Sequence, residues 1–325
     1  MNDSPRPSAI TLSIAAVERD TGLSKDTLRV WERRYGFPTP GRDAVGERAY
    51  TLEQVEKLRI VKRLLDAGHR PGRIVPLEVL ALQQLADHTV DQPQRHPGST
   101  AALMGAADLR EHLALIRSHD LSALRSELMR LLARCGVARF VIEVVAPLNA
   151  AVGDAWIRGQ MEVFEEHACT ELLQTVLRQA IAGIPSGTEA ERPRVLLTSF
   201  PNEPHGLGLL MAEALLRLEG CLCSSLGVQT PVWDIVRAAT AYRSDIVALS
   251  FTGCMNPNQV VDGLSELAAK LPPGVRVWAG GAAPVLHRRS VAGVLPLANF
   301  DELAAELQRW RAEATPAVQA LNPGG

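Results

Sequence analysis

Three stretches of this chain place chemistry-bearing side chains at short, regular spacing. In Asn202-Glu203-Pro204-His205-Gly206-Leu207-Gly208 a carboxylate stands two residues before an imidazole. Glu203 can accept the Nδ1 proton of His205, which leaves Nε2 basic and aimed at a metal. Gly206 and Gly208 carry no side chains, so a bulky group can approach the backbone there. Forty-one residues separate Gly208 from Ser250, which opens Ser250-Phe251-Thr252-Gly253, and twenty-seven separate Thr252 from the pair Gly280-Gly281. A second stretch sets Lys25, Arg29 and Arg33 four residues apart with Arg34 adjacent, a cationic helix face suited to a groove lined by phosphates. A third sets Trp156 ahead of Glu166-His167 with nine residues between them.

The elements that must position these groups follow from pattern. From Arg194 onward the chain alternates short apolar runs with amphipathic ones. Strands are predicted over 194–200, 222–227, 245–251 and 275–279, with helices over 207–218, 232–242 and 257–271 and again near Val285 and over 301–314. Such alternation predicts an α/β, doubly wound parallel sheet. The loops holding His205, Ser250 and Gly280 then follow three of its strands, on the carboxyl edge where such sheets take ligands. Residues 103–183 contain one proline, Pro147, and are dense in Leu, Ala and Val at helical spacing, which predicts a four-helix bundle.

Near the N-terminus, residues 13–19 read as a short helix, Thr21-Gly22 as a break and Ser24 as the cap of a second helix over 25–35. Two short helices across a Gly-containing turn are the helix–turn–helix pattern. Ser24, Lys25, Thr27, Arg29, Arg33 and Arg34 are its candidate DNA contacts. Residues 42–50 read as a hairpin turning at Gly46, a wing that would carry Arg48 and Tyr50 to a backbone phosphate. The first 77 residues hold fourteen Lys and Arg against ten Asp and Glu, whereas the remainder holds twenty against twenty-six. A mildly electropositive first domain suits a polyanion. The five cysteines are odd in number and lack zinc-site or disulfide spacing, so they are expected to be buried reduced thiols. No apolar run approaches a bilayer-spanning length and the first residues lack a signal-peptide layout, so a cytoplasmic protein without a membrane partner is expected.

Leu28-Arg29-Val30-Trp31-Glu32-Arg33-Arg34-Tyr35-Gly36, then Arg48-Ala49-Tyr50, then 58–68, resembles the MerR-type winged-helix domain from end to end. That resemblance implies a transcription factor dimerising on inverted repeats in double-stranded promoter DNA. With no cysteine before Cys135, metal sensing of the MerR kind is set aside. The loops at 203–208, 250–252 and 280–281 resemble the cobalamin-binding fold of methionine synthase and its relatives. The likeness implies that His205 ligates cobalt from below and that the displaced nucleotide tail lies beside the serine and the paired glycines. Glu203 stands where that family more commonly has Asp, and Thr252 where it has Leu. A helical cap beside such a fold resembles the CarH/CarA/LitR light-responsive regulators, which implies that Trp156 fills space above the cobalt while Glu166 and His167 meet an adenosyl or similar group. The light-sensing pattern has His directly after that Trp; here the residue is Ile157, which cannot ligate.

The expectation is therefore a multidomain chain. An α winged helix–turn–helix occupies 10–80, a linker 81–102, a four-helix bundle cap 103–184, and a flavodoxin-like cobalamin-binding domain 192–314. The cofactor-binding set is Trp156, Glu166, His167, Glu203, His205, Gly206, Gly208, Ser250, Thr252, Gly280 and Gly281, with His205 as the metal ligand. The function expected is a repressor of transcription, homodimeric or homotetrameric, controlled by adenosylcobalamin or methylcobalamin and capable of acting as a photoreceptor. The rival is a MerR-type regulator whose cobalamin-like domain is empty and serves in oligomerisation or protein interaction. An enzyme is not expected: corrinoid methyltransferase subunits lack a winged helix–turn–helix, and no separate acid/base pair or nucleophile motif is present.

Overall fold

The computed structural model describes residues 11–43, 45–66, 68–90, 104–185 and 192–320. Contacts group the chain into two compact units, one of residues 1–98 with 153–162, the other of 99–152 with 163–325.

In the first unit β1 (Thr11–Ser13) leads into α1 (Ile14–Thr21) and α2 (Lys25–Tyr35), followed by β2 (Gly41–Arg42) and β3 (Arg48–Thr51). α3 (Leu52–Asp66), α4 (Pro71–Ile74) and α5 (Val79–Val90) complete it. The turn between α1 and α2 rests on Gly22, which takes φ 71° as the left-handed cap and donates its N–H to Glu18 O. Ser24 Oγ then accepts Thr27 N at 3.1 Å and caps α2 as its sequence indicates. The wing is the β2–β3 hairpin, with Gly46 at φ 84°. Asp43 Oδ1 accepts Val45 N and Glu47 N and so fixes the turn. β1 adds a third strand, antiparallel to β3, that periodicity had not marked because only three residues pair. α3 buries Val55, Leu58, Val61 and Leu64 at three-residue steps against Val17, Leu28 and Trp31. Leu82 of α5 joins the same core at 0 % exposure. The linker expected over 81–102 thus opens within α5 in the structure, and its residues 91–102 lie outside the described residues.

The second unit begins with α6 (Ala106–Arg117) and α7 (Leu121–Phe140), which passes through a π-helical turn at Val141–Val145 into α8 (Ala146–Ile157). α7 breaks at Gly136, whose φ 74° and ψ 167° are not helical. α9 (Val163–Ala182) follows. The sheet comprises β4 (Arg194–Thr198), β5 (Leu222–Gly227), β6 (Ile246–Ser250), β7 (Arg276–Gly280) and β8 (Val294–Leu297). Between and after them run α10 (Leu207–Leu218), α11 (Val232–Ala241), α12 (Pro257–Lys270), α13 (Val285–Arg288) and α14 (Phe300–Ala320). All five strands are parallel in the order β5-β4-β6-β7-β8, so the order reverses between β4 and β6.

Alternation along the strands decides which helices they meet. Leu196, Val247, Leu249 and Val277 face Ile235, Val260 and Leu264 of α11 and α12. Val195, Leu197, Ile246 and Trp278 face Leu209 and Leu216 of α10 and Leu303, Leu307 and Trp310 of α14. Burying each such large apolar side chain contributes about 1.5–3 kcal/mol, which is what holds the loops at the strand ends in place. Helix α10, entered directly from the His205 loop, also packs along α9 and α7 of the bundle. β8 is a correction to the expected strands. Its Val-Leu-Pro-Leu run carries Pro296, a residue confined to edges because it cannot donate to the ladder, and β8 is the edge strand.

Candidate functional site

The carboxyl ends of β4 and β6, on either side of the reversal, bring together residues far apart in sequence. Glu203 is wholly buried and accepts hydrogen bonds from both loops. Oε1 takes His205 N at 3.2 Å and His205 Nδ1 at 2.7 Å, and Oε2 takes Thr252 N at 2.7 Å. Thr252 Oγ1 donates at 3.0 Å to Oε2. A buried carboxylate without such donors would cost several kcal/mol. Burial pushes the Glu203 carboxyl up, but donation from His205 and Thr252 outweighs it and holds the group below its ordinary value. His205 is pushed up to about 10, by its contacts with Cys254 and with Glu203, against the opposing effect of burial. Of the two partners Glu203 is the closer, at 2.7 Å against 3.8 Å for Cys254 Sγ. The imidazole side chain is 52 % exposed while its carboxylate partner is 0 %. With Nδ1 turned to Glu203, Nε2 is the nitrogen left facing outward.

Two departures from the expected pattern acquire a physical role. The extra methylene of Glu, relative to Asp, lets one carboxylate span from the His205 loop to the Thr252 amide on the next strand's loop. Thr252 supplies a hydroxyl donor that a Leu there would lack. Sequence reasoning missed Cys254, which is not fully buried and lies with its Sγ 3.1 Å from Thr252 Oγ1. Its spacing of two residues from Thr252 was the available signal, but only the folded loop shows what it faces.

The glycines serve the packing of the loops themselves. A Cβ at Gly208 would stand 2.7 Å from Ser250 Oγ, which places these two predicted residues side by side. A Cβ at Gly206 would lie 3.2 Å from Val228 Cγ1. Gly281, at φ 106°, lets the chain leave β7 across Phe251, whose carbonyl oxygen would be 2.2 Å from a Cβ. Ser250 pairs in register with Gly280. The approach that these glycines permit is thus, in the structure, an approach by the protein's own atoms.

The bundle residues sort differently. Glu166 and His167 open α9 and pair with each other through Oε2 and Nδ1, while Thr170 Oγ1 holds the other carboxylate oxygen at 2.8 Å. Beside them, His119 Nε2 lies 3.1 Å from the buried Glu165 and its ring 5.4 Å from that of Phe164, which is 59 % exposed. This third acid–imidazole pair was not foreseen, because His119 and Glu165 are 46 residues apart. Trp156 falls by its contacts in the first unit, where the Arg63 guanidinium of α3 lies 5.9 Å from the ring centroid. Gly159, at φ 70°, leaves room for the same arginine, whose Nη1 would be 2.7 Å from a Cβ. Ile157 packs against the helix–turn–helix core.

On the DNA-reading face Arg29, Arg33 and Arg34 are exposed, with Arg29 paired to Asp26 at 3.2 Å and Lys25 to Glu18 at 3.5 Å. Exposed pairs of this kind are weak enough to yield to phosphate. Arg48 bonds Glu32 at 2.9 Å and ties the wing to α2. Tyr50 corrects the expectation of a phosphate contact: it is 0 % exposed, its hydroxyl is buried with no hydrogen-bond partner among the described residues, and it belongs to the core. Val30, exposed beside Arg29 and Arg33, was not singled out, although an apolar contact to a thymine methyl is a recognised form of base readout.

Comparison with known proteins places the same three regions. A family model for "MerR HTH family regulatory protein" matches residues 12–77. Two models described as "B12 binding domain" match 109–181 and 193–298. The HTH-type transcriptional repressor CarH of Myxococcus xanthus is 34 % identical over 82 % of this chain and 87 % of its own length. The HTH-type transcriptional repressor CarA of the same organism is 28 % identical over 91 % of this chain and 96 % of its own. The HTH-type transcriptional regulator CueR of Yersinia pestis is 26 % identical over 38 % of this chain and 81 % of its own.

Proposed function

This chain belongs to the family of HTH-type transcriptional regulators represented by CarH and joins a region matching the MerR HTH model to two regions matching B12 binding domain models, and from that premise we propose that it represses a promoter as a homo-oligomer, dimer or tetramer, under the control of a bound alkylcobalamin.

The observation that carries this reading is the half-exposed imidazole of His205 with Nδ1 fixed on a buried carboxylate. A metal-ligating histidine needs such a partner at its other nitrogen to set its tautomer and direction. The donor set fits a cobalt-centred corrin, which His205 would hold through Nε2. Thr252 and Glu203 hold the ring, and Ser250 with Gly280 and Gly281 forms the edge beside it. When bound, adenosylcobalamin or methylcobalamin supplies a cobalt–carbon bond that light can cleave. The chain's own part is to bind DNA differently in the two resulting states, since a ligand shifts an equilibrium only by its differential affinity for the states. Glu166 and His167 would meet the alkyl group of the bound cofactor, and Ile157 offers no imidazole to ligate it. The matching families and relatives favour a regulator over an enzyme. No helix among the described residues is long and apolar enough to cross a membrane.

The test is size-exclusion chromatography with visible detection after mixing with adenosylcobalamin in the dark, paired with DNA mobility shift before and after illumination. Corrin absorbance should co-elute with the parent protein and be lost from His205→Ala, and illumination should change DNA affinity. Equal cofactor retention by the substituted protein removes His205 as the ligand. Undiminished DNA binding after light removes photoregulation while leaving cofactor control to be tested by the dark arm alone.

A further inference from the structure

Beneath His205 four donor atoms from two loops stand at the corners of a small tetrahedron: Glu203 Oε1, His205 Nδ1, Thr252 Oγ1 and Cys254 Sγ. Their separations are 2.7 Å for Nδ1 to Oε1, 3.1 Å for Oγ1 to Oε1 and 3.2 Å for Oγ1 to Nδ1. Those to Sγ are 3.1 Å from Oγ1, 3.5 Å from Oε1 and 3.8 Å from Nδ1. A tetrahedral zinc ion with bonds of about 2.0–2.3 Å requires ligand–ligand edges of about 3.3–3.6 Å. The edges present bracket that range, so a cation needs shifts of only a few tenths of an ångström from most donors.

We propose that this cluster is a second metal site, for a zinc-like divalent cation bound by Glu203, His205 Nδ1 and Cys254, with Thr252 Oγ1 or a water in the fourth position. Among the described residues it is the one group of three such side chains whose ligand atoms converge within 4.8 Å. The chemistry of the set argues for the class of metal. Thiolate with imidazole selects zinc or cadmium over magnesium or calcium. A carboxylate and a thiolate together neutralise the 2+ charge, which suits a site whose carboxylate is wholly buried. The protons balance. The Cys254 thiol proton passes to solvent as the sulfur–metal bond forms. The Nδ1 proton of a cationic ring also leaves to solvent; in a neutral ring it is replaced by one at Nε2.

Either way the zinc-bound imidazole carries its hydrogen on Nε2, the nitrogen whose lone pair the cobalt needs. The two metals therefore claim opposite nitrogens of one ring and exclude each other. That exclusion, unlike the site itself, rests on the assignment of His205 as the cobalt ligand.

The experiment uses the full chain purified without corrinoid, stripped with a chelator and titrated with Cd²⁺ and then Zn²⁺. One equivalent of Cd²⁺ should give thiolate-to-cadmium charge-transfer absorption in the near ultraviolet, displaced by Zn²⁺. Cys254→Ser should lose the band and weaken zinc binding by about tenfold or more, whereas Cys135→Ser should change neither. Circular dichroism of both variants establishes that they are folded, and Cys254→Ala serves if Cys254→Ser is not. No band in the parent, or an equal band in Cys254→Ser, overturns the site. Zinc-loaded parent should also take up hydroxocobalamin about tenfold more slowly than stripped parent, with recovery on chelation. Equal uptake overturns the exclusion. Failure of stripped protein to take up any corrinoid counts against the cofactor reading and leaves the cadmium result to stand by itself.

Discussion

At the scale of single residues the Glu203–His205 pair makes stability a function of pH in the corrinoid-free protein. His205 is raised in the folded state, so its contribution is complete below its unfolded value of about 6.5 and fades as pH climbs through about 10. Glu203 is depressed, so its contribution is present above its unfolded value and fades on acidification through the lower folded one. Urea midpoints of the parent should exceed those of His205→Ala by most near pH 5–6, and the gap should close towards pH 10. A gap that widens with pH would mean that the ring is neutral in the fold. Thr252→Val tests the same cluster from the other side. It removes one hydroxyl donor from a buried carboxylate whose backbone donor remains, and should cost about 1–3 kcal/mol in chemical denaturation. The sequence displayed Glu203 and His205 because they are near neighbours with complementary chemistry. Thr252 and Cys254 could not be read in this role, since their partners lie about 50 residues away and on another strand. Thr252 read as a departure from the expected Leu and proves to be a hydrogen-bond donor.

At the scale of elements, what was legible was what repeats. The continuous apolar runs of β4, β6 and β7, buried on both faces, and the apolar steps of α3 and α10, buried on one, identified themselves. Short or interrupted elements did not: β1 has three residues, and β8 contains a proline on the sheet edge. Tyr50 looked like a polar tip on an exposed hairpin, yet β3 is flanked on both sides by β1 and β2 and turns that residue into the core. The glycines at the strand ends were legible as special, but their purpose was not, because a tight contact with one's own chain and room for a ligand leave the same signature. Gly281→Ala separates the two. Its φ of 106° and the Phe251 carbonyl 2.2 Å from the added Cβ should cost more than about 2 kcal/mol of stability in the corrinoid-free protein, where no ligand contributes. If Gly281→Ala unfolds like the parent and loses only cofactor binding, the glycine serves the ligand.

At the scale of the molecule, control of DNA binding by a cofactor, as proposed, requires that the two binding events be coupled, and the coupling has to be reciprocal. If cofactor changes DNA affinity by some factor, DNA must change cofactor affinity by the same factor, typically about 5–150-fold. Trp156 is where the chain's grouping departs from its linear order: it follows α7 and most of α8 in sequence, yet its ring meets Arg63 of α3, and its neighbour Ile157 packs against the core that carries α2. No sequence pattern exposes this, because a tryptophan at a helix end reads equally well as core, as a cofactor contact or as a docking side chain. The Arg63→Leu protein should therefore retain a normal cobalamin spectrum and normal cofactor uptake, since Arg63 lies outside the His205 cluster. Its dark-to-light ratio of operator affinity should fall at least about threefold towards unity, and the ratio of cofactor affinities with and without operator should fall by the same amount. Both are measurable, one by fluorescence anisotropy of labelled DNA and the other by visible titration. Arg33→Ala makes the control, for it should weaken operator binding and lower the salt slope by about one while leaving the dark-to-light ratio intact. Were Arg63→Leu to behave like Arg33→Ala, the stacking on Trp156 would be packing alone, and the link between sensor and reader would have to run through other residues.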